Sequence, residues 1–211
     1  MGDTKQRLLT GALQTLRDKG IAGASARSIA GAVGVNQGLI FYHFGSVDQL
    51  IIEACRTSTA ERIQPFRQRF AEVASLRELF AIGSELHDAE PAAANAAVLA
   101  QVLAGAQHSR AVAEAGRDAL QLWIDEIEAA LDRLLDHSPI EPAVDKAGLA
   151  RGVAAAFIGV ELYHGVDPAG ATVALRAFEQ LSVLSEVLDD LGPIGRRAVQ
   201  ARLRRLPDSQ Q

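Results

Sequence analysis

Cysteine is almost absent from this chain of 211 residues, which has a single one, Cys55. One cysteine excludes an internal disulfide and a cysteine cluster that holds a metal, and such usage is typical of a reducing compartment. Long hydrophobic runs are also missing, since the most apolar stretch, from Arg151 to Glu161, falls far short of the ~18 residues of a membrane span. The polar segment from Met1 to Arg7 does not resemble a signal peptide. We therefore expect a soluble, cytoplasmic protein without a membrane partner.

Strand-like alternation of apolar and polar residues is absent as well. Almost every segment repeats its apolar residues with the period of a helix, and this predicts an all-α protein of about nine or ten helices. Apolar residues make up 48% and charged residues 22% of the chain, which is ordinary globular usage and argues against general disorder.

An excess of basic residues is missing overall, because the net charge is −5. The charge is unevenly distributed, however. Residues 1–52 contain five basic and three acidic residues, whereas the remainder contains sixteen basic and twenty-three acidic ones. The first fifty residues are thus mildly basic, which permits DNA binding without proving it.

Capping signals place the helix boundaries. Gly20 ends a first amphipathic helix, and Ser25 is suited to begin a second. Ser46 begins a long fourth helix, which Pro65 is expected to kink or end because proline lacks an amide hydrogen. Asp167 and Pro168 are a typical helix start. The later helices are predicted at about 92–104, 109–136, 143–164, 168–191 and 194–206.

The segment from Ser25 to Phe44 has the features of a helix-turn-helix. Ala30 is the small residue where two helices cross closely, and Gly34 suits the turn between them. Apolar residues that would hold the crossing angle are Ile29, Val33, Val35 and Ile40. The second helix of such a motif lies in the major groove, where the amides of Asn36 and Gln37 could pair with adenine. A plain helical hairpin is the alternative, and the run of aromatic residues from Phe41 to Phe44 argues against it.

This segment resembles the tetracycline-repressor (TetR) family of bacterial regulators. The matching residues are Ser25, Arg27, Ile29, Ala30, Gly34, Val35, Gly38, Tyr42, His43 and Phe44. The resemblance implies that phosphates are contacted by Ser25, Arg27, Tyr42 and His43, and that bases are approached by Asn36, Gln37, Gly38 and Leu39. The sequence departs from the family pattern at Val47, which replaces a commonly basic residue, at Phe41, which lacks a hydroxyl, and at Leu39, where threonine is frequent.

The resemblance also implies two domains: residues 1–46 bind DNA, and residues 47–211 bind a ligand and dimerise. In the family the last two long helices form the dimer interface. Independently of the resemblance, small residues lie on one face of the helix predicted at 143–164: Gly148, Gly152, Ala155 and Gly159. The next helix has apolar residues at the spacing of a coiled coil: Ala177, Leu181, Leu184 and Leu188. We expect a homodimer on an inverted-repeat operator, although such stripes can also pack within one subunit.

A ligand cavity is predicted on the opposite side of the glycine-lined helix. This face carries Val153, Phe157, Glu161 and His164, an apolar set with one carboxylate and one imidazole. The predicted effector is a lipophilic molecule with one hydrogen-bonding or cationic group. A local pair of Glu161 with His164 is an equally good interpretation. Trp123 is placed with the ligand residues, although core packing suits it better.

Two other functions are considered and disfavoured. Glu161 and His164 have the Glu-x-x-His spacing of a helical-bundle metalloenzyme, but no second copy of the motif exists. The residues His87, Asp88, Glu90 and His108 lack a metal-ligand spacing. We therefore expect neither an enzyme nor a cofactor. A constitutive DNA-binding protein is disfavoured by the size and acidity of residues 53–211. The sequence thus favours a ligand-responsive regulator, by family default a repressor.

Overall fold

The structure, a computed structural model, describes residues 2–89, 92–136, 138–189 and 191–203. Within these ranges there are eleven α-helices and three short 3-10 turns, and no strand, which confirms the all-α prediction. The helices are α1 (Gly2–Lys19), α2 (Ala26–Ala32), α3 (Gly38–Phe44), α4 (Val47–Ile63), α5 (Arg67–Glu72), α6 (Leu76–Asp88), α7 (Ala92–Ala106), α8 (Arg110–Leu135), α9 (Lys146–His164), α10 (Pro168–Asp189) and α11 (Pro193–Leu203).

The chain divides into two compact units, which are described separately. Unit 1 comprises Met1–Pro65 and Glu90–Trp123, and unit 2 comprises Phe66–Ala89 and Ile124–Gln211. Helix α8 is shared by both, because the division falls within it. The predicted domain boundary after residue 46 stays a prediction. No helix among the described residues is long and apolar enough to cross a membrane.

The helix ends of unit 1 follow from the capping residues. The Ser25 hydroxyl accepts from the Ser28 amide, and the Ser28 hydroxyl accepts from the Ser25 amide in return, a capping box that begins α2. Gly20 and Gly34 have φ angles of 67° and 64°, where a side chain would be strained. Helix α4 ends at Ile63, before a 3-10 turn that contains Pro65. These predictions are confirmed.

Helices α1 to α4 enclose the core of unit 1. The side chains of Leu8, Ile29, Ile40 and Leu50 are completely buried in it. A second cluster joins Leu16 of α1 and Ile51 of α4 to Val102 of α7 and Val112 of α8. Helix α7 is also tied to the turn before α2, because Oε1 of Gln101 accepts from the Ile21 amide at 3.2 Å.

Unit 2 is built on the packing of α6, α9 and α10. The rings of Phe80 and Phe178 stack at 6.0 Å, and the hydroxyl of Ser84 donates to Glu179 at 2.5 Å. The cap of α10 is as predicted, since Asp167 accepts from the Gly170 amide at 2.9 Å.

Helix α9 begins three residues later than the predicted start at residue 143. Its cap is Asp145, which accepts from the Gly148 amide at 3.0 Å, while Glu141–Ala143 forms a 3-10 turn. Helix α10 ends at Asp189, and Leu191, the predicted last residue of this helix, is not helical, while residue 190 lies outside the described residues. The predicted end of the last helix, at 206, also lies outside them, as does Glu90.

Candidate DNA interface and effector site

Helix α3 has one buried and one exposed face. Ile40 and Phe44 point into the core of unit 1, which fixes the rotation of the helix. The predicted DNA-contacting residues of this segment are exposed or half-buried: Asn36, Gln37, Gly38 and Tyr42 are exposed, and Leu39 and His43 are half-buried. The structure therefore presents the predicted base-reading and phosphate-holding side chains on one short helix and the turn before it.

The two amides at the start of α3 differ in what they can offer DNA. Oδ1 of Asn36 accepts from the Gly38 backbone amide at 2.7 Å, so its acceptor is already engaged in holding the turn. The side chain of Gln37 makes no capping hydrogen bond. A bidentate contact to adenine needs a free amide acceptor and a free amide donor together. Gln37 is thus the better candidate for reading a base.

The other residues of α3 differ in how they are placed. Leu39 packs against the core of unit 1, which limits the area it could offer to a thymine methyl group. The rings of Tyr42 and His43 meet edge to face at 4.9 Å. Phe41, which is 54% exposed, lies beside them and was not among the predicted contacts. Its only sequence signal is that it belongs to the aromatic run.

Ser25 and Arg27 lie at the start of α2 and are both exposed. The hydroxyl of Ser25 is engaged with Ser28 in the capping box, so its first role is structural. A hydroxyl that accepts from a backbone amide can still donate its own hydrogen. Arg27 is the freer phosphate candidate, because a guanidinium offers five donors and keeps its charge.

Glu161 is paired with a residue that the sequence did not connect with it. Oε1 of Glu161 lies 2.6 Å from Nδ1 of His87 on α6, 74 residues away in the chain. The structure therefore does not show the local pair of Glu161 with His164. His164 instead meets the ring of His87 edge to face, with 4.7 Å between the ring centres. His87 is the member of this cluster that the sequence analysis missed.

The predicted ligand residues on α9 are brought together with α6. Phe157 lies against Gly83, where an added Cβ would be 3.7 Å from the aromatic ring. Val153 and His164 are half-buried, and Glu161 is buried. Trp123 belongs to unit 1, where its ring faces the guanidinium of Arg62 at 6.0 Å. Within the described residues no three His, Cys, Asp or Glu side chains are grouped so that they could hold a metal ion.

The small-residue stripe of α9 is exposed in the single chain. Gly148, Gly152, Ala155 and Gly159 are all exposed, and nothing lies near Gly152 or Gly159. On α10, Ala177 is exposed and Leu181 is 58% exposed, while the side chains of Leu184 and Leu188 lie outside those described. Val173 of the same face is 64% exposed. Unit 2 therefore carries an uncovered apolar surface along two helices.

Comparison with known proteins bears on both units. Residues 8–54 match the model of a family described as bacterial regulatory proteins, tetR family. No curated protein matches the sequence.

Solved structures share the fold of nearly the whole chain. A protein from Rhodococcus sp. described as a TetR-family transcriptional regulator is 19% identical, with a TM-score of 0.73 over 88% of this chain and 99% of that one. A transcriptional regulator from Pseudomonas aeruginosa is 22% identical, with a TM-score of 0.69 over 96% and 95%. A regulator from Saccharomonospora viridis, in complex with choline, is 19% identical, with a TM-score of 0.66 over 85% and 95%. Residues 8–54 thus resemble the bacterial regulatory proteins of the tetR family, and the chain as a whole shares its fold with these solved regulators.

Proposed function

We propose that this chain is a ligand-responsive transcriptional repressor that binds an inverted-repeat operator as a homodimer in the cytoplasm. The observation that carries the proposal is the exposed face of α3, held by Ile40 and Phe44 in a buried core. A helix anchored on one side and exposed on the other can enter the major groove as a rigid body. Gln37 reads a base on this view, and Arg27, Tyr42 and His43 hold phosphates.

The homodimer is supported by the uncovered surface of α9 and α10. A face of glycine and alanine allows the backbones of two helices to approach closely, and Val173 and Leu181 supply apolar area beside it. Burial of such a face on a second copy removes apolar surface from water, which is favourable by about 25 cal/mol for each Å² of apolar area buried. Two-fold symmetry of the dimer would then be mirrored in the operator.

The effector site is proposed in unit 2, at Val153, Phe157, Glu161 and His164. An apolar wall beside a few buried polar groups is typical of sites for small molecules. A protein of the same fold holds choline, so the fold is able to accommodate a small ligand. Trp123 is kept out of this site, because it belongs to unit 1, where its ring faces the guanidinium of Arg62.

The route from effector to DNA is proposed to pass through α8. Helix α4 lies wholly in unit 1. Helix α8 is the described helix that belongs to both units. A ligand changes the DNA affinity only by as much as it binds the two forms of the protein unequally.

Two variants of α3 test the DNA-binding part. Gln37→Ala should lower discrimination at particular bases, by ~1–3 kcal/mol for a bidentate contact. Tyr42→Phe should weaken binding to all sequences alike, because a phosphate carries no direct sequence information. Binding is measured against a panel of single-base variants of a selected operator, with Gln68→Ala in unit 2 as the matched control. The same profile for Gln37→Ala and Tyr42→Phe would contradict these roles.

A variant of the apolar wall tests the effector part. Phe157→Ala should raise the ligand concentration needed to release the operator, since it removes apolar contact from the ligand. Its affinity for the operator without ligand should stay near that of the unmodified chain. Release at the unmodified concentration would mean that the site lies elsewhere.

A further inference from the structure

Three polar side chains of unit 2 meet where α6 and α9 end. Nδ1 of His87 lies 2.6 Å from Oε1 of Glu161, and the rings of His87 and His164 meet edge to face. The side chains of His87 and Glu161 are only 5% and 7% exposed. The imidazole of His87 and the carboxylate of Glu161 are thus removed from water together, which folding tolerates when their polar atoms have partners.

One atom of this cluster is left without a partner. Nδ1 of His164 is buried, and no hydrogen-bond partner reaches it among the described residues. A buried polar atom in this state costs free energy that a ligand recovers by bonding to it. A neutral imidazole accepts a hydrogen bond at one of its two nitrogens, so His164 can receive a donor.

The electrostatic surroundings favour positive charge over negative charge. His87 lies in the last turn of α6, and His164 is the last residue of α9. The free carbonyl groups at the C-terminal end of a helix carry partial negative charge. Glu161 adds a carboxylate, and its recorded ion-pair partner within the described residues is His87. A second carboxylate brought here would be repelled, whereas an ammonium group would be attracted.

An apolar side chain, Phe157, lies beside the cluster, one turn earlier on α9. Phe157 precedes Glu161 by one turn of α9 and packs against the core formed by Val160, Ala171 and Leu175. Because Gly83 has no side chain, the ring of Phe157 can lie against the backbone of α6 at this position. A ligand with a hydrocarbon part and one polar end could therefore place the hydrocarbon on Phe157 and the polar end at the neighbouring cluster.

We infer that the effector is an apolar amine, whose hydrocarbon part lies on Phe157 and whose ammonium group donates to Glu161 and to Nδ1 of His164. The inference rests on the proposed function, because it names the ligand class of the site proposed there. Donation to Glu161 competes with His87 for the same carboxylate. The contact between α6 and α9 then changes when the ligand binds.

Three simple probes that share one hydrocarbon chain test this assignment on the unmodified protein. Octylamine, octanol and octanoate differ only in their polar end, and their dissociation constants are measured by calorimetry. Octylamine should bind roughly tenfold to a hundredfold more tightly than octanoate, the range expected for a hydrogen bond to a charged group. Octanol should lie between them. Binding of octanoate as tight as that of octylamine, or no binding of octylamine, overturns the inference.

Two matched variants assign the preference to one carboxylate. Glu161→Gln keeps the shape and removes the charge, so most of the advantage of octylamine over octanol should be lost. Glu85→Gln makes the same change on α6 at an exposed position paired with Arg69, and it should leave the advantage unchanged. An unchanged advantage in Glu161→Gln overturns the inference, and the probe series on the unmodified chain decides it if that variant does not fold.

Operator binding is measured on the same preparation to separate this inference from the proposed function. A chain that binds the operator but prefers octanoate retains its DNA-binding role and loses the amine assignment. A chain that prefers octylamine but binds no operator retains the assignment and loses the proposed function.

Discussion

Oε1 of Gln101 accepts a hydrogen bond from the backbone amide of Ile21, joining α7 to the turn before α2 across 80 residues of sequence. The same oxygen would lie 2.7 Å from a Cβ added at Gly20. Two features of the chain therefore depend on each other: glycine at position 20 makes room for the amide side chain that satisfies the next residue.

Loss of this hydrogen bond should destabilise unit 1. Gln101→Leu leaves the part-buried Ile21 amide without its acceptor, and we expect a loss of about 1–3 kcal/mol in the free energy of unfolding. Gln101→Glu keeps an oxygen at the same place and should lose less. Urea unfolding followed by circular dichroism measures both, and equal losses for the two variants would contradict the importance of the acceptor.

The buried pair of His87 and Glu161 should show strong coupling. His87→Leu leaves the carboxylate buried without its partner, which we expect to cost about 3–5 kcal/mol. The double variant His87→Leu/Glu161→Leu removes both polar groups and should be clearly more stable than the sum of the single losses predicts. A double-mutant cycle of unfolding free energies measures this. Additive losses would mean that the two side chains do not support each other.

Cys55 should be unreactive in the folded protein. Burial raises the pKa of its thiol from 9.0 to about 11, so the thiol keeps its proton throughout the neutral range. The folded form then binds the proton more tightly than the unfolded form, and stability should fall as the pH rises from about 9 toward 11. Labelling with a thiol reagent near neutral pH should require unfolding. Rapid labelling of the native protein would contradict the burial.

The apolar surface of α9 and α10 should govern dimerisation. Leu181→Glu places a charge in the middle of this surface and should shift the protein toward a monomer, which sedimentation velocity detects. Thr172→Glu introduces the same charge at an exposed position about half a turn away around α10, and it should leave the dimer intact. A dimer that survives Leu181→Glu would place the interface on another surface.

The sequence predicted those features that depend on nearby residues. The caps at Ser25 and Asp167, the turn at Gly34 and the end of α4 before Pro65 are each determined within a few positions. The exposed side of α3 followed from helical periodicity in the same way. The predicted start of α9 at residue 143 is too early, because Asp145 caps this helix and the residues before it form a 3-10 turn.

Contacts between distant helices could not be predicted in this way. His87 and Glu161 are separated by 74 residues, and the packing of both α6 and α9 on α10 brings them together. On sequence alone Glu161 had a nearer candidate in His164, one turn away on the same helix face. The engagement of Asn36 with Gly38 was also missed, since both amides at the start of α3 looked equally suited to DNA.

The most direct test of the central claim is the equilibrium binding of the purified protein to an operator selected from random DNA. We expect the selected sites to be inverted repeats whose half-site centres lie one or more helical turns apart, each turn ~34–36 Å along the duplex. The full repeat should be bound far more tightly than a single half-site, and Leu181→Glu should remove that difference. A half-site bound as tightly as the full repeat, or no preferred sequence at all, would contradict the account.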